Sequence, residues 1–252
     1  MPKSANKVKK SFITIRIIIL IIIMLFCANY LSLLFLTTTE KASTSLTSNS
    51  LTIYAISFDK SLTQAGGESL AIDYRKIGAG GYVWQEENYY YILSSAYVNE
   101  NDAILVQNSV KQNHNVETSI IKLNIPSFNL NVTVDSDEKK ALQKALNLYE
   151  NVYKQLFDIA ISLDTNVYNE ISARLVLNNI FSNANTIVAD YKIFFEDVKS
   201  LNTLTKYLEE LILTLQKLCS GITISTNQTM SSLIKYRYIE ILAQAKNLSL
   251  EL

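Results

Sequence analysis

The chain has 252 residues, 48% of them hydrophobic and 18% charged, so it can form one or two packed domains and lacks the composition of a disordered chain. Its 23 basic and 23 acidic side chains cancel, which argues against a nucleic-acid partner. The two cysteines are far apart in the sequence: Cys27 lies in a long hydrophobic segment and Cys219 in a predicted amphipathic helix. A disulfide framework is therefore not available, and packed cores must stabilise the fold.

A hydrophobic segment without charges occupies residues 17–36. At about 1.5 Å per residue it is long enough to cross a hydrocarbon core of about 30 Å. Five basic residues lie in segment 1–16, and the first acidic residue, Glu40, follows the hydrophobic segment. This asymmetry predicts a cytoplasmic basic tail, an uncleaved single-pass membrane helix and an extracytoplasmic remainder. Residues 37–50 are rich in Ser and Thr and are expected to be a flexible linker.

Residues 51–124 contain alternating, β-favouring segments and two helix-like segments. The expected strands are 51–58, 82–84, 89–97 and 116–123, and the expected helices are 60–76 and 99–113. Asn99 is the expected N-cap of the second helix. The order β-α-β-β-α-β is that of a ferredoxin-like sheet with both helices on one face, which makes the fold class α+β.

Three features of this segment resemble the SPOR (sporulation-related) domain: the sequence Gly-Gly-Tyr-Val-Trp that ends at Trp84, the tyrosine-rich strand 89–97, and Ala103 as the first buried helical position. Members of that family are peptidoglycan-binding modules, usually on single-pass bacterial proteins of the division site or the forming spore. The resemblance implies a glycan-strand-binding protein of the bacterial cytoplasmic membrane with a role in cell division or sporulation. Tyr54 replaces a glutamine that is common in the family's first strand.

The expected sheet can present aromatic rings on one face. Tyr89 and Tyr91 share a face of their strand, and sugar rings stack on such side chains. We therefore take as candidate glycan-binding residues Tyr54, Trp84, Tyr89, Tyr91 and Ser95. The alternative is that these aromatic residues fill the core, because strands favour aromatic side chains in general.

Residues 135–252 carry apolar side chains at alternating spacings of three and four, in four stripes interrupted near Asp164, Ser200 and Gly221. This pattern predicts a C-terminal antiparallel α-helical bundle. A longer coiled coil that dimerises has the same spacing. Through this half the chain is expected to self-associate or to bind a protein partner.

No catalytic or cofactor motif is present in the sequence. The only histidine, His114, has no cysteine or acidic cluster near it, and neither a P-loop nor a nucleophile elbow occurs. We therefore expect a protein that is not an enzyme and needs no cofactor or metal. Two functions remain: a membrane-anchored peptidoglycan-binding protein, or a structural scaffold whose helical half oligomerises or docks a protein partner.

Overall fold

The computed structural model describes Met24, residues 41–220 and residues 228–252. The expected basic tail, 1–16, and membrane helix, 17–36, lie outside the described residues apart from Met24. Within the described part, none of the helices combines the length and the apolar character needed to span a bilayer. Within the described part of the chain, Ser43–Val132 and Asp137–Leu252 form one compact unit.

The protein is α+β, and its sheets are antiparallel. Its strands are β1 (Ala42–Thr47), β2 (Leu51–Ser61), β3 (Tyr82–Glu86), β4 (Tyr89–Tyr97), β5 (Ser119–Ile125) and β6 (Asn129–Val134). The helices of residues 41–220 and 228–252 are α1 (Gln64–Lys76), α2 (Glu100–His114), α3 (Ser136–Leu146), α4 (Leu148–Asp164), α5 (Glu170–Phe195), α6 (Asn202–Ser220) and α7 (Met230–Glu251).

The main sheet has the strand order β3-β4-β2-β5, and each neighbouring pair is antiparallel. Helix α1 connects β2 to β3, and α2 connects β4 to β5, so the expected order of elements over 51–124 is confirmed. Asn99 is the N-cap of α2, since its side chain accepts the Asn101 N–H at 2.9 Å. Ala103, one turn later, is fully buried. These local features follow from capping chemistry and from the apolar spacing of the helix.

A second, two-stranded sheet pairs β1 with β6. The Thr47 hydroxyl donates to Asn129 Oδ1 at 2.6 Å, and the Ser48 N–H donates to the Phe128 carbonyl at 3.0 Å. The expectation of a flexible linker over 37–50 is therefore wrong for Ala42–Thr47. The polar side chains of β1 give no alternating hydrophobic signal, and the strand with which β1 pairs lies about eighty positions further along the chain.

The helical half forms a ring of neighbours: α4 contacts α5 and α7, and α6 contacts α5 and α7. The expected break at Asp164 is confirmed, because α4 ends there and Asn166 has the left-handed φ of 56°. The expected break at Ser200 is a 3₁₀ turn, Lys199–Leu201. The stripe that begins at Leu142 is divided at Asn147 into α3 and α4. Gly221 lies outside the described residues.

The main sheet lies between two layers of helix. Helices α1 and α2 contact β2 and β4, while α7 contacts β3, β4 and β5. The apolar side chains between these layers are fully or almost fully buried, and they include Ile53, Ile92, Leu93 and Leu123. Burial of these apolar side chains contributes about 25 cal/mol for each Å² of surface removed from water. This contribution stabilises the sheet and the helical half as one packed body.

Candidate binding surface

Helices cover both faces of the main sheet at β3. A Cβ atom on Gly67 of α1 would lie 3.0 Å from Val83 Cγ1, so Val83 points toward α1. Its neighbour Tyr82 points the other way, since its ring centroid lies 5.3 Å from that of Tyr236 on α7. Side chains alternate along a strand, so α1 and α7 lie on opposite faces. Helix α7 therefore covers, at β3, the sheet face on which the sequence predicts exposed aromatic rings.

An aromatic cluster holds α4 and α7 against the end of β4. It consists of Tyr97, Tyr153, Phe157 and Tyr238. Their neighbouring ring centroids are 5.5 to 6.2 Å apart, and the pairs are mostly edge-to-face. Burial raises the pKa of Tyr97 to about 12 and raises the pKa of Tyr238 well above its usual value. These hydroxyls are neutral at physiological pH and serve as structural hydrogen-bonding groups.

Trp84, the only tryptophan of the chain, is 3% exposed. Its Nε1–H donates to Glu86 Oε2 at 2.9 Å, and Lys246 Nζ of α7 donates to the same oxygen at 2.6 Å. The Lys246 ammonium also lies 5.4 Å from the centroid of the Trp84 ring. Burial alone would raise the pKa of Glu86, but the hydrogen bonds from Lys246 and Trp84 outweigh it and lower the pKa. The carboxylate therefore stays charged and ties α7 to β3.

Two further candidate residues form a pair of rings at the surface. The ring centroids of Tyr89 and Tyr91 are 6.1 Å apart, and both side chains are half-buried. Lys60 Nζ lies 4.3 Å from the centroid of the Tyr89 ring. Tyr91 is the cross-strand partner of Trp84, so these three of the five predicted residues lie together.

The other two candidates lie elsewhere. Tyr54 is half-buried and packs against a cluster that contains Ile56 and Ala103. Ser95, the cross-strand partner of Ile56, is 3% exposed. The structure therefore does not bring Tyr54 and Ser95 to the surface that Tyr89 and Tyr91 share.

An open groove runs along β3, which is the edge strand of the main sheet. We call it the β3 groove. It is lined by Gln64 of α1, by Tyr82, Val83, Trp84, Gln85, Glu86, Glu87 and Tyr90 of the β3–β4 hairpin, and by Ala243, Lys246, Asn247 and Leu250 of α7. Leu250 is 67% exposed. Because Lys246 pairs with Glu86, the exposed Glu87 leaves the groove with a negative charge.

The groove residues on α7 are not evident from the sequence, where Lys246 stands 160 positions from Glu86. Near these residues the sequence shows only a lysine, Lys246, and an apolar residue, Leu250, close to the end of the fourth apolar stripe.

Within residues 41–220 and 228–252, His, Cys, Asp and Glu side chains form no group that could hold a metal ion. Burial raises the pKa of the free Cys219 thiol, so this thiol is not activated as a nucleophile.

No protein-family model, no curated protein and no solved structure matches this chain.

Proposed function

We propose that this protein is a membrane-anchored, non-enzymatic scaffold that docks an extended segment of a protein partner in the β3 groove. The observation that carries this proposal is the position of α7, which covers the sheet face next to Trp84 and leaves the edge of β3 accessible. In the described part of the chain, no strand lies beside the outer edge of β3. The backbone groups of an edge strand can pair with an added strand, which is a common mode of peptide recognition.

The walls of the groove determine the chemistry of the segment. Leu250 and Val83 offer apolar surface, and Glu87 offers an exposed carboxylate. The partner segment is therefore extended and carries an apolar side chain and a basic one. The main-chain pairing provides affinity, and the two side chains provide specificity.

This proposal is tested with a randomised peptide library and the purified full-length chain in detergent. Peptides with a basic residue should be enriched, and their binding should change the fluorescence of Trp84. Glu87→Lys should remove the preference for a basic residue, whereas Glu117→Lys, an exposed carboxylate outside the groove, should retain it. If no peptide is enriched, or if Glu87→Lys selects the same peptides as the unaltered chain, the groove is not a peptide-binding site.

Glycan-strand binding is a second candidate, favoured by the surface pair Tyr89 and Tyr91. The strand order and strand directions support a ferredoxin-like sheet, as the SPOR resemblance implies, and the ring of helices α4 to α7 supports an antiparallel bundle. Because α7 covers Trp84, glycan would meet Tyr89, Tyr91 and Lys60 at the end of the sheet. The aromatic rings would stack on sugar C–H faces.

The glycan candidate is tested by sedimenting the full-length chain with purified wall sacculi, before and after an amidase removes the stem peptides. Binding should increase after the amidase treatment and decrease in a Tyr89→Ala/Tyr91→Ala variant. Tyr236→Ala, a ring on α7, is the matched control and should retain binding. Equal binding by the folded double variant and the unaltered chain would exclude this surface.

The membrane anchor is the part of the proposal that rests on sequence alone. Residues 17–36 carry no charge, and the basic residues precede them. We expect the remainder to lie outside the cytoplasm. Alkaline phosphatase fused after Leu252 should be active in bacterial cells and inactive when 17–36 are deleted; activity without the segment would contradict this topology.

A further inference from the structure

The centre of the outer face of α5 is a stripe without charge. Its residues are exposed and recur at spacings of three and four: Ile171, Leu175, Asn178, Ser182, Thr186, Ala189 and Ile193. The charged side chains Arg174, Asp190 and Lys192 flank this stripe. The large apolar side chains among them are strongly exposed: Ile171 by 72%, Leu175 by 62% and Ile193 by 77%. A solvent-facing helix surface normally carries charged side chains, so this face has the composition of a contact surface.

The opposite side of α5 is the one that packs inside the protein. Its buried residues are Ala173, Leu177, Ile180, Ala184, Val188, Tyr191 and Phe195. Helix α5 therefore has two stripes with helical spacing, and the part of the chain that the structure describes covers one of them. The other is available to a partner.

The outer face is symmetric about Ser182. From Ser182 the spacings are four, three and four residues in both directions, and each end is an isoleucine, Ile171 or Ile193. The apolar Leu175 and Ala189 occupy equivalent positions, as do the uncharged polar Asn178 and Thr186. A face that has the same character from either end is complementary to itself in an antiparallel pair.

A twofold axis at Ser182 places side chains of the same chemical character opposite one another. It places Ile171 of one copy opposite Ile193 of a second copy, and Leu175 opposite Ala189. The small Ser182 side chains meet at the axis, where the two helices can approach closely. Spacing of three and four residues is that of packed helix pairs, and an uncharged face meets its own copy without like-charge repulsion.

We propose that the protein forms a twofold-symmetric dimer in which the outer faces of α5 pack in antiparallel orientation. The second copy of the chain is chosen because, in an antiparallel pair about Ser182, apolar positions meet apolar positions and uncharged polar positions meet uncharged polar positions along the whole stripe. This inference does not depend on the β3 groove, since α5 contributes no residue to that groove.

The test is a charge exchange, measured by sedimentation of the full-length chain in detergent. Ile171→Glu and Ile193→Lys should each weaken dimerisation by about tenfold or more, because each places a charge opposite an isoleucine. The double variant should dimerise about as well as the unaltered chain, because the introduced carboxylate of one copy then pairs with the introduced ammonium of the other at both ends of the contact. An acidic residue near the start of α5 and a basic one near its end also suit the helix dipole, so each variant should fold.

Leu105→Glu on α2 is the matched control. Leu105 is 67% exposed, and this change should not alter dimerisation. Circular dichroism must give the same helix content for all variants. If the single variants dimerise like the unaltered chain, or if the double variant dimerises no better than the singles, the antiparallel α5 contact is wrong.

A disulfide test locates the axis. In a full-length chain with Cys27→Ser and Cys219→Ser, mild oxidation of Ser182→Cys should give a covalent dimer. Ser109→Cys, an exposed position on α2, should remain monomeric. Equal cross-linking at both positions, or none at Ser182→Cys, would overturn the proposal.

Discussion

Tyr153 and Tyr238 hold the same peptide segment from two different helices. The Tyr238 hydroxyl accepts the Ala96 N–H at 3.2 Å, and the Tyr153 hydroxyl donates to the Ala96 carbonyl at 3.1 Å. Their ring centroids are 5.7 Å apart. Both backbone groups of Ala96 are thus bound by side chains of the helical half, which fixes α4 and α7 against β4.

Removal of one of these hydroxyls should destabilise the protein measurably. Tyr238→Phe leaves the buried Ala96 N–H without its phenolic acceptor and should cost about 1–3 kcal/mol of unfolding free energy. Urea unfolding of the full-length chain in detergent provides the measurement. Tyr89→Phe, at the surface, is the control and should change the free energy by less than about 0.5 kcal/mol. Equal losses for the two variants would show that the Tyr238 hydroxyl has no special role.

Two nearby glycines should respond differently to alanine. A Cβ on Gly80 would lie 2.9 Å from the Ser94 carbonyl oxygen and 3.1 Å from the Tyr236 nitrogen, both of them backbone atoms. Gly80→Ala should therefore push α7 away from β4 and cost about 1–3 kcal/mol. Gly78 has a φ of 92° and no atom within 4 Å of such a Cβ, so Gly78→Ala should cost about 1 kcal/mol of backbone strain.

The distinguishing readout for this glycine pair is the environment of Trp84, which lies under α7. Gly80→Ala should shift Trp84 fluorescence toward that of an exposed indole before the protein unfolds, whereas Gly78→Ala should not. A larger loss of stability in Gly78→Ala than in Gly80→Ala would contradict the observed packing.

Acid should loosen the contact between Glu86 and Lys246. The folded-state pKa of Glu86 lies below its usual value, so this carboxylate stabilises the fold above the unfolded pKa of about 4.3 and loses that effect as the pH falls through the folded pKa. Glu86→Gln should therefore have a smaller decrease in stability between about pH 6 and about pH 3 than the unaltered chain. Thermal unfolding at several pH values, followed by Trp84 fluorescence, measures this difference; parallel pH curves would refute it.

Alkali should unfold the protein together with ionisation of its buried tyrosines. Burial raises the pKa of Tyr97 to about 12 and that of Tyr238 still further. Their neutral forms stabilise the fold below the unfolded pKa of about 10, and this contribution is lost as the pH rises toward the folded pKa. Tyrosinate absorbance should therefore increase in two phases, the second coincident with loss of circular dichroism. A single phase that is complete in the folded protein would contradict the burial of these hydroxyls.

The elements with strong local signals could be predicted from the sequence. The order of strands and helices over 51–124, the cap at Asn99 and the buried seams of the helical half all depend on neighbours a few residues apart. The strand β1 was missed because its pairing with β6 has no counterpart in local hydrophobicity. Three of the predicted site residues, Trp84, Tyr89 and Tyr91, lie together because alternation and cross-strand pairing determine their positions.

The position of α7 could not be predicted in the same way. Its contacts with β3 and β4 join residues that are distant in the sequence: Lys246 is 160 positions from Glu86, and Tyr238 is 142 positions from Ala96. Ser231 and Ser232 at its start are buried, although a hydrophobic pattern assigns serine to solvent. Only the packing of the whole chain shows that α7 has apolar neighbours on more than one side.

The contact of α7 with the sheet also has a consequence for the order in which the chain is completed. The residues that cover Trp84 and bind Ala96 lie in Met230–Glu251, so they are synthesised after the rest of the fold. Until they emerge from the ribosome, one side of the main sheet stays exposed to solvent and can bind other apolar surfaces. A chain that stops before Met230 would therefore present that side to chaperones and proteases.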